Sequence, residues 1–373
     1  MIWLSAAGLL VLSLMTGCTD VWNGNTARDL SERQQPVLRQ KEISPSFLAK
    51  ETIMPLKISR EEFNTVSGWY DVETILYYTA SNEVYTYNIY TGENEIFHKS
   101  DQPVVAIQPN PDRSLFYIHK AVSVTESAVE VLDAKGKSIY RWEGKASELD
   151  IVWNPYAPYT LMLTAFHQDW SYTMEYINVD TGKSKPVEIE VPFIRWLDEK
   201  RAAYLQWDQE TDSFEAPLYA FDVDTATSTN LQNQAVGFFT FENRLVMIDI
   251  QGDGVSTYRF YDNRGTELLH SEIVPVLETY SEHFWVPEFS YYREHDTFVY
   301  FRPARSGDLF QYHDGFILTS LSLKTGESEE LVKLEDNFPL RHSPDGKHIL
   351  FGYQLENIIQ LDSMNILSIV REP

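Results

Sequence analysis

Histidine and carboxylate side chains are the groups in this chain that could carry out acid–base chemistry or bind a metal ion. They form two adjacent pairs, His295 with Asp296 and His313 with Asp314. Neighbouring residues of a β-strand point to opposite faces, so solvated loop positions explain these pairs as readily as a ligand or catalytic role. The sequence contains no Gly-rich phosphate loop, no His-Glu-x-x-His motif and no Gly-x-Ser-x-Gly motif. It therefore predicts no catalytic residue, no metal site and no cofactor.

Cys18 is the single cysteine of the chain, and the residues that precede it indicate its chemical role. It follows an apolar segment of about 14 residues, which is shorter than the roughly 20 of a membrane-spanning helix but suits a signal peptide. The run Met15, Thr16, Gly17 and Cys18 resembles a bacterial lipobox. This resemblance implies that signal peptide 1–17 is removed and that membrane lipid, joined to the Cys18 sulfur, holds the protein on the extracytoplasmic face of the cell membrane. A buried N-terminal helix with an ordinary buried cysteine is the alternative.

Composition and charge narrow the class of protein. The chain is 43% hydrophobic and 23% charged, which indicates a globular domain. Its formal net charge of −25 repels nucleic acid, so we expect no nucleic-acid partner. Residues 19–60 have mixed charge and little periodicity. We therefore expect a lipidated cysteine and flexible tether over 18–60, and one folded domain over 61–373.

A turn signal that recurs along the domain identifies the fold. Each turn begins with Asp, Asn or Ser, and all but one end in Gly or Asn, residues that favour tight turns. The turns are 88–92, 133–136, 178–182, 222–226, 262–265, 322–326 and 362–365. They lie about 45 residues apart on average, with four strand-like segments and no amphipathic helix in each period. This pattern predicts an all-β propeller of seven four-stranded units, the first over 64–98 and the last over 337–370.

The lipobox, the tether and the repeats that end in Asp/Asn-x-x-Thr-Gly together resemble the YqgU-like lipoproteins of Gram-positive bacteria. That resemblance implies a six-bladed propeller, so six blades is the alternative to the seven counted. Residues 343–347, Ser-Pro-Asp-Gly-Lys, also resemble a tight turn of TolB-type propellers and carry no chemistry by themselves. The resemblance implies no activity for any residue.

Loop lengths distinguish the two faces of the predicted propeller. With the strands of each unit lettered a to d, the b–c and d–a connections share one face, here called the loop face. The a–b and c–d connections share the other, here called the turn face, and they are short. The b–c loops are longer, and the largest additions are 302–315 and the d–a segment 274–283. Repeat proteins commonly carry insertions on their binding face, so we expect the functional surface on the loop face.

The candidate binding residues of the loop face mix aromatic surface with charge, as recognition surfaces do. They are Trp170, Trp207, Tyr280, His283, Arg302, Arg305, Asp308, Tyr312 and His313. The alternative is that these aromatics only cover blade edges.

Two functions remain open from the sequence. The first is a surface-tethered binding module whose partner is another envelope protein or a wall glycan. The second is a hydrolase or lyase acting on wall polymer, with its site at the propeller funnel. Carboxylates converging at one mouth of the channel would favour the enzyme, and an aromatic, acid-rimmed face would favour binding.

Overall fold

The computed structural model describes residues 52–207, 213, 215–251, 254–279 and 284–373. In this part of the chain, seven antiparallel four-stranded sheets follow one another, each with its strands in chain order. The prediction of an all-β propeller with seven units is therefore confirmed. No helix among the described residues is long and apolar enough to cross a bilayer.

The first four blades begin near residue 63 and end at residue 235. Their strands are β2 (Phe63–Trp69), β3 (Thr74–Thr79), β4 (Glu83–Asn88) and β5 (Asn94–Lys99); β6 (Val104–Pro109), β7 (Leu115–Ser123), β8 (Glu126–Asp133) and β9 (Ser138–Lys145); β10 (Glu148–Trp153), β11 (Thr160–Phe166), β12 (Tyr172–Asn178) and β13 (Lys183–Val187); β14 (Arg195–Trp196), β15 (Arg201–Leu205), β16 (Ala216–Asp222) and β17 (Thr227–Ala235).

The last three blades follow the same plan, with one interruption in the sixth. Their strands are β18 (Gly237–Phe241), β19 (Arg244–Gln251), β20 (Val255–Asp262) and β21 (Leu268–Pro275); β24 (Phe289–Tyr292), β25 (Thr297–Pro303), β27 (Phe316–Ser322) and β28 (Ser328–Leu334); β29 (Leu340–His342), β30 (His348–Phe351), β31 (Asn357–Gln360) and β32 (Asn365–Ser368). The short strands outside the blades are β1 (Leu56–Lys57), β22 (Leu277–Glu278), β23 (Phe284–Trp285), β26 (Gly307–Asp308) and β33 (Val370–Arg371), and a 3-10 helix covers Leu309–Gln311.

The blades pack against one another through seven hydrophobic clusters in the described chain. Side chains that alternate along a strand serve two neighbours, because successive residues point to opposite faces of the sheet. On β3, Ile75 and Tyr77 pack toward the last blade, while Leu76 and Tyr78 pack toward the second. First strands of neighbouring blades also contact each other, and β2 contacts β29. The first strands therefore line the propeller axis, and the ring closes between the first and last blades.

A parallel pairing of β1 with β33 fastens this closure. The Leu56 amide donates to the Ile369 carbonyl at 2.7 Å, and the Met54 amide donates to the Ile89 carbonyl at 2.7 Å. Ile53 and Leu56 are buried in the cluster between the two blades. The folded domain therefore includes residues 52–60, which the sequence pattern placed in the tether. A strand of two residues is too short to produce the period-2 alternation from which strands are recognised.

The two large insertions of the loop face associate with each other. Strand β26 of the 302–315 loop pairs in parallel with β22 of the segment after the fifth blade, and β22 also pairs with β23. Ser306 Oγ donates to the Gly254 carbonyl at 2.5 Å. Both insertions thus lie on the same face, and they form a small three-stranded sheet of their own above the blades.

Candidate functional site

Side chains on the turn face join each blade to the next. The carboxamide nitrogen of Asn154 donates to the carbonyls of Asp198 and Glu199 in the next blade, at 3.3 and 3.0 Å. Its oxygen accepts from the amides of Tyr156 and Ala157 in its own turn. Asn110 and Asn263 make comparable bonds to other blades, to the carbonyls of Pro158 and Leu197. These three carboxamides of the turn face therefore serve to join the blades.

Among the connections between strands, those of the loop face carry most of the exposed apolar side chains. Eighteen large hydrophobic side chains are exposed in the described chain. Two of them lie on a–b turns, Val72 and Tyr159. The loop-face group lies on b–c and d–a connections and consists of Val124, Trp170, Phe193, Trp207, Val286, Phe310 and Tyr353. This asymmetry agrees with the surface that the loop lengths predict.

Trp170 is the most exposed of these side chains, with 93% of its surface accessible. Its backbone has φ of 66°, a left-handed conformation that is uncommon for a bulky residue. Asp169 supports this turn by accepting from the Ser171 amide at 3.1 Å and from its hydroxyl at 2.6 Å. A tryptophan held in this way covers no blade edge, so covering does not explain it.

Aromatic side chains near Trp170 extend the apolar surface over the third blade. Phe193 lies 5.5 Å from Phe166 between ring centroids, and Phe166 lies 6.3 Å from Tyr172. The Tyr172 hydroxyl donates to the Ile189 carbonyl at 2.8 Å. Trp207, which is also exposed, lies near the start of the b–c connection of the fourth blade.

Tyr312 has a different position from the one expected of a contact residue. Only 8% of it is accessible, and its ring packs on Phe316. Its hydroxyl donates to the Gly315 carbonyl at 2.6 Å and accepts from the Ala304 amide at 2.7 Å. Tyr312 therefore fixes the inserted loop from inside, because both ends of the loop bond to it.

The remaining candidates on this insertion divide between the surface and the blade interior. Asp308 caps the 3-10 helix by accepting from the Phe310 amide, and Arg305, which is exposed, forms an ion pair with Asp314. His313 is exposed. Arg302 is half-buried on β25, and its Nε has no hydrogen-bond partner among the described residues. The candidates outside the described residues are Tyr280 and His283, together with Met15, Thr16, Gly17 and Cys18 of the predicted lipid-attachment motif.

A cavity of about 740 Å³ opens beside the inserted loop. Its apolar wall includes Leu309 and Phe316, and its acidic residues are Asp314, Glu335 and Asp336. The Tyr353 hydroxyl donates to Asp336 from the neighbouring blade. The loop face thus combines a groove, exposed aromatics and an acidic rim.

A second cavity, of about 580 Å³, lies along the inner strands of the second to fourth blades. Glu148 and Asp150 alternate on β10 and both line it. Arg195 Nη1 lies 3.3 Å from Asp150 Oδ2. Sequence reasoning missed this group, although two carboxylates at alternate positions of a first strand were a usable signal. No set of three or more His, Cys, Asp or Glu in the described chain could hold a metal ion.

A buried charge network lies beneath the loop face in the second blade. Glu130, whose side chain is 2% accessible, accepts from Lys120 Nζ at 2.7 Å and from Arg141 Nη2 at 2.8 Å. Lys120 also contacts Asp101 at 3.0 Å. Burial raises the pKa of Glu130, but hydrogen bonds from Lys120, Ser138 and Arg141 outweigh this and lower it to about 2. The network is internally paired, which indicates a structural role.

Comparison with known proteins places the chain among propellers. The YqgU-like 6-bladed beta propeller domain matches residues 88–352. That range holds five complete blades and parts of the first and last, whereas the described chain forms seven four-stranded sheets. An uncharacterized lipoprotein, YqgU of Bacillus subtilis (strain 168), is 29% identical over 330 residues, covering 87% of this chain and 89% of that protein.

Solved structures agree on the fold. An uncharacterized protein of Listeria monocytogenes EGD-e superposes with a TM-score of 0.79 at 20% identity, over 86% of this chain and 98% of that one. An oligogalacturonate lyase of Vibrio parahaemolyticus superposes with a TM-score of 0.55 at 12% identity, over 82% of this chain and 88% of that one. At these identities the likeness shows the propeller fold alone.

Proposed function

Because this chain belongs to the YqgU-like propeller family, we propose that it is a lipid-anchored, extracytoplasmic protein whose loop face binds a partner in the cell envelope. Three features support the anchor: the lipobox-like run that ends in Cys18, the tether, and a Bacillus relative that is named a lipoprotein. The folded domain begins beside the turn 88–92, since the Met54 amide bonds to the Ile89 carbonyl there. The first residues of the folded domain therefore lie at the turn face.

The observation that carries the binding role is the unequal distribution of exposed apolar side chains between the two faces. Aromatic side chains supply large contact area, and they gain most when a partner removes them from water. The surrounding carboxylates and the net charge of −25 favour a protein partner with a basic surface, because complementary charge speeds encounter and selects among partners. A wall glycan is the alternative partner, and the test must distinguish it from a protein.

The binding role can be tested by quantitative crosslinking in intact cells. A variant with Trp170, Phe193 and Phe310 changed to Ser removes loop-face aromatics, and a control with Val72 and Tyr159 changed to Ser removes exposed apolar side chains of the turn face. We expect the first variant to lose its crosslinked protein and the control to keep it. Equal recovery from both variants would contradict the proposal. Retention of the unaltered protein on purified, protein-free walls, lost in the first variant, would identify a glycan instead.

The anchor can be tested separately by changing Cys18. Cys18→Ala should abolish acyl-chain labelling and move the protein from the membrane fraction, because no other thiol is present to carry the lipid. Ser44→Ala, within the tether, is the control and should leave both unchanged. Unaltered labelling of the Cys18 variant would refute the anchor without affecting the binding proposal.

Hydrolysis or elimination on wall polymer is a second candidate function. It is favoured by one observation, the joint presence of Glu148 and Asp150 in the inner cavity. Incubation of purified walls with the full chain should then release new reducing or unsaturated sugar ends. Glu148→Gln and Asp150→Asn should each stop the release, and no release by the unaltered protein would remove this candidate.

A further inference from the structure

The inner cavity has the size of a small-molecule site. Its volume of about 580 Å³ falls in the range of typical ligand pockets, roughly 300–1,000 Å³. It is lined from the second blade by Gln108 and Tyr117, from the third by Glu148 and Trp153, and from the fourth by Arg195. These five residues lie on blade strands, so their positions do not depend on the inserted loops of the loop face.

Tryptophans end the first strands of three blades, and two of them bond to the preceding blade of the ring. Trp69 ends β2, and its Nε1 donates to the Arg341 carbonyl of the last blade at 3.1 Å. Trp196 ends β14, and its Nε1 donates to the Val152 carbonyl of the third blade, also at 3.1 Å. Both acceptors are the second-last residue of the neighbouring first strand. In these two blades a peptide carbonyl therefore satisfies the indole N–H.

Trp153 ends β10 in the same way but lacks this bond. The second-last residue of the neighbouring first strand, β6, is Gln108, yet Trp153 Nε1 is buried and has no hydrogen-bond partner in the described chain. Only 8% of Trp153 is accessible, and both residues line the inner cavity. Buried polar groups are nearly always bonded, so an unsatisfied donor on a residue of the cavity wall indicates a position for an acceptor atom of a ligand.

The charged side chains of the cavity limit the ligand further. Glu148 is exposed, and its carboxylate forms no ion pair with the other described residues. Asp150 accepts from Arg195 Nη1 at 3.3 Å, so the charges of this pair balance. Burial lowers the pKa of His119, which leaves its ring uncharged at neutral pH. The lining therefore has one uncompensated carboxylate, which accepts hydrogen bonds and repels anions.

Tyr117 and Trp153 give the cavity an aromatic wall. Their ring centroids lie 6.2 Å apart, and their planes are tilted by 32°. Ile151 adds apolar surface beside them. A sugar ring presents C–H groups to such a wall and hydroxyl groups at its edge, and the hydroxyls can donate to carboxylates. The wall and the carboxylates together therefore suit a sugar that has no negative charge.

We propose that the inner cavity binds an N-acetylated amino sugar. The acetamido carbonyl accepts from Trp153 Nε1, as a peptide carbonyl does from the equivalent indoles of two other blades. An acetamido group is itself an amide, so it supplies the same kind of acceptor without adding charge. The sugar hydroxyls donate to Glu148 and Asp150. This site requires neither the envelope partner of the loop face nor any cleavage of the sugar.

The test measures binding of defined probes to the full chain in detergent micelles by isothermal titration calorimetry. The probes are N-acetylglucosamine; glucose, which lacks the acetamido group; glucuronate, which adds a negative charge; and Nα-acetyl-lysinamide, which has an amide carbonyl but no sugar ring. We expect N-acetylglucosamine to bind about tenfold more tightly than glucose, the gain of one hydrogen bond to a buried donor. Glucuronate should bind no more tightly than glucose.

Two kinds of result would overturn the proposal. The first is equal affinity for N-acetylglucosamine and glucose, or no binding of N-acetylglucosamine at all. The second is a different preference: if glucuronate or Nα-acetyl-lysinamide binds more tightly than N-acetylglucosamine, the cavity belongs to an acid or to a peptide.

Variants locate the site. Trp153→Phe keeps an aromatic ring but removes the unsatisfied N–H, so it should lower N-acetylglucosamine affinity about tenfold and leave glucose affinity unchanged. Trp196→Phe is the matched control, because its N–H is already bonded to the Val152 carbonyl, and it should bind as the unaltered protein does. Glu148→Ala removes an exposed acceptor and should weaken both sugars severalfold, which keeps the proposal testable if Trp153→Phe fails to fold. Unchanged N-acetylglucosamine binding in Glu148→Ala or in a folded Trp153→Phe would contradict the assignment.

The cavity and the loop face can be separated in the same variants. Crosslinking to the envelope partner should be normal in Trp153→Phe and Glu148→Ala, because neither residue lies on the loop face. Loss of crosslinking without loss of sugar binding would contradict only the loop-face proposal. Loss of sugar binding alone, in the unaltered protein, would contradict only the cavity proposal.

Discussion

The two faces of this propeller are built from the same repeats but use their side chains in different ways. On the turn face, buried carboxamides such as Asn154 satisfy backbone groups of the next blade. On the loop face, side chains such as Trp170 stand in solvent without a packing partner that explains them. We therefore expect stability and recognition to depend on opposite ends of the same strands, so that substitutions can separate them.

The loop face also contains structural side chains, because the buried network of Lys120, Glu130 and Arg141 lies beneath it. Tyr312 likewise has its hydroxyl bonded inside the inserted loop. The loop face therefore combines buried side chains that are bonded within the fold with exposed side chains that are not. Burial and bonding of each side chain, rather than its face alone, predict the result of a substitution.

Lys120→Ala should give the largest loss of stability. It leaves Glu130 buried without its lysine, and breaking a buried ion pair in this way costs about 3–5 kcal/mol. Lys99→Ala is the control, because Lys99 pairs with Glu83 at the surface and should cost about 1 kcal/mol or less. Urea unfolding of both variants measures the difference. Similar losses would mean that the network is not a structural anchor.

Asn154→Ala should give the next largest loss, about 2–4 kcal/mol, since it removes the side-chain bonds of several part-buried backbone groups at once. Asn178→Ala is the matched control on the same face. Asn178 accepts only within its own turn, from Thr181, so its loss should be about 1 kcal/mol or less. Urea midpoints that agree between the two variants would contradict the role of the turn face in joining blades.

Acid should weaken the protein through Glu130. Its pKa in the folded protein is lowered to about 2 from 4.5, so its contribution is present above pH 4.5 and is lost as the pH falls toward 2. The loss should be on the order of 2–3 kcal/mol. Glu130→Gln should be less stable at neutral pH and should lack this part of the acid dependence, whereas Glu126→Gln, an exposed position on β8, should retain it. Parallel stability–pH curves for Glu130→Gln and the unaltered protein would be the opposing result.

Trp170→Ala should give the smallest change in stability, within about 0.5 kcal/mol, because the side chain is almost fully accessible. Thermal unfolding measures the stability of this variant. Partner crosslinking with the same variant tests whether Trp170 contributes to recognition. We expect reduced crosslinking at unchanged stability. A large drop in melting temperature would show that Trp170 supports the fold and would place it with the anchored residues.

The sequence by itself determined the repeat architecture and the face that carries the insertions. Turn residues such as Asp133 and Gly136 act within a few residues, and strand alternation has a local period, so both are readable before folding. The sequence also singled out Trp170, whose place at the tip of a short hairpin depends on its own turn. It did not separate Trp170 from Tyr312, because burial depends on which chain segments return to cover a side chain.

Only the tertiary structure decided how the ring of blades closes and where the inner cavity lies. The pairing of Leu56 with Val370 joins the two ends of the domain, and Gln108, Glu148 and Arg195 line one cavity from three blades. No local sequence pattern predicts these contacts, because the curvature of the whole ring brings together residues that are more than 30 positions apart. The half-buried Arg302 illustrates the same limit, since its position in a long loop sequence suggested a surface role, whereas its strand holds it at the blade. Turn residues and strand alternation therefore predict the blades. The arrangement of the blades around one axis determines the cavity.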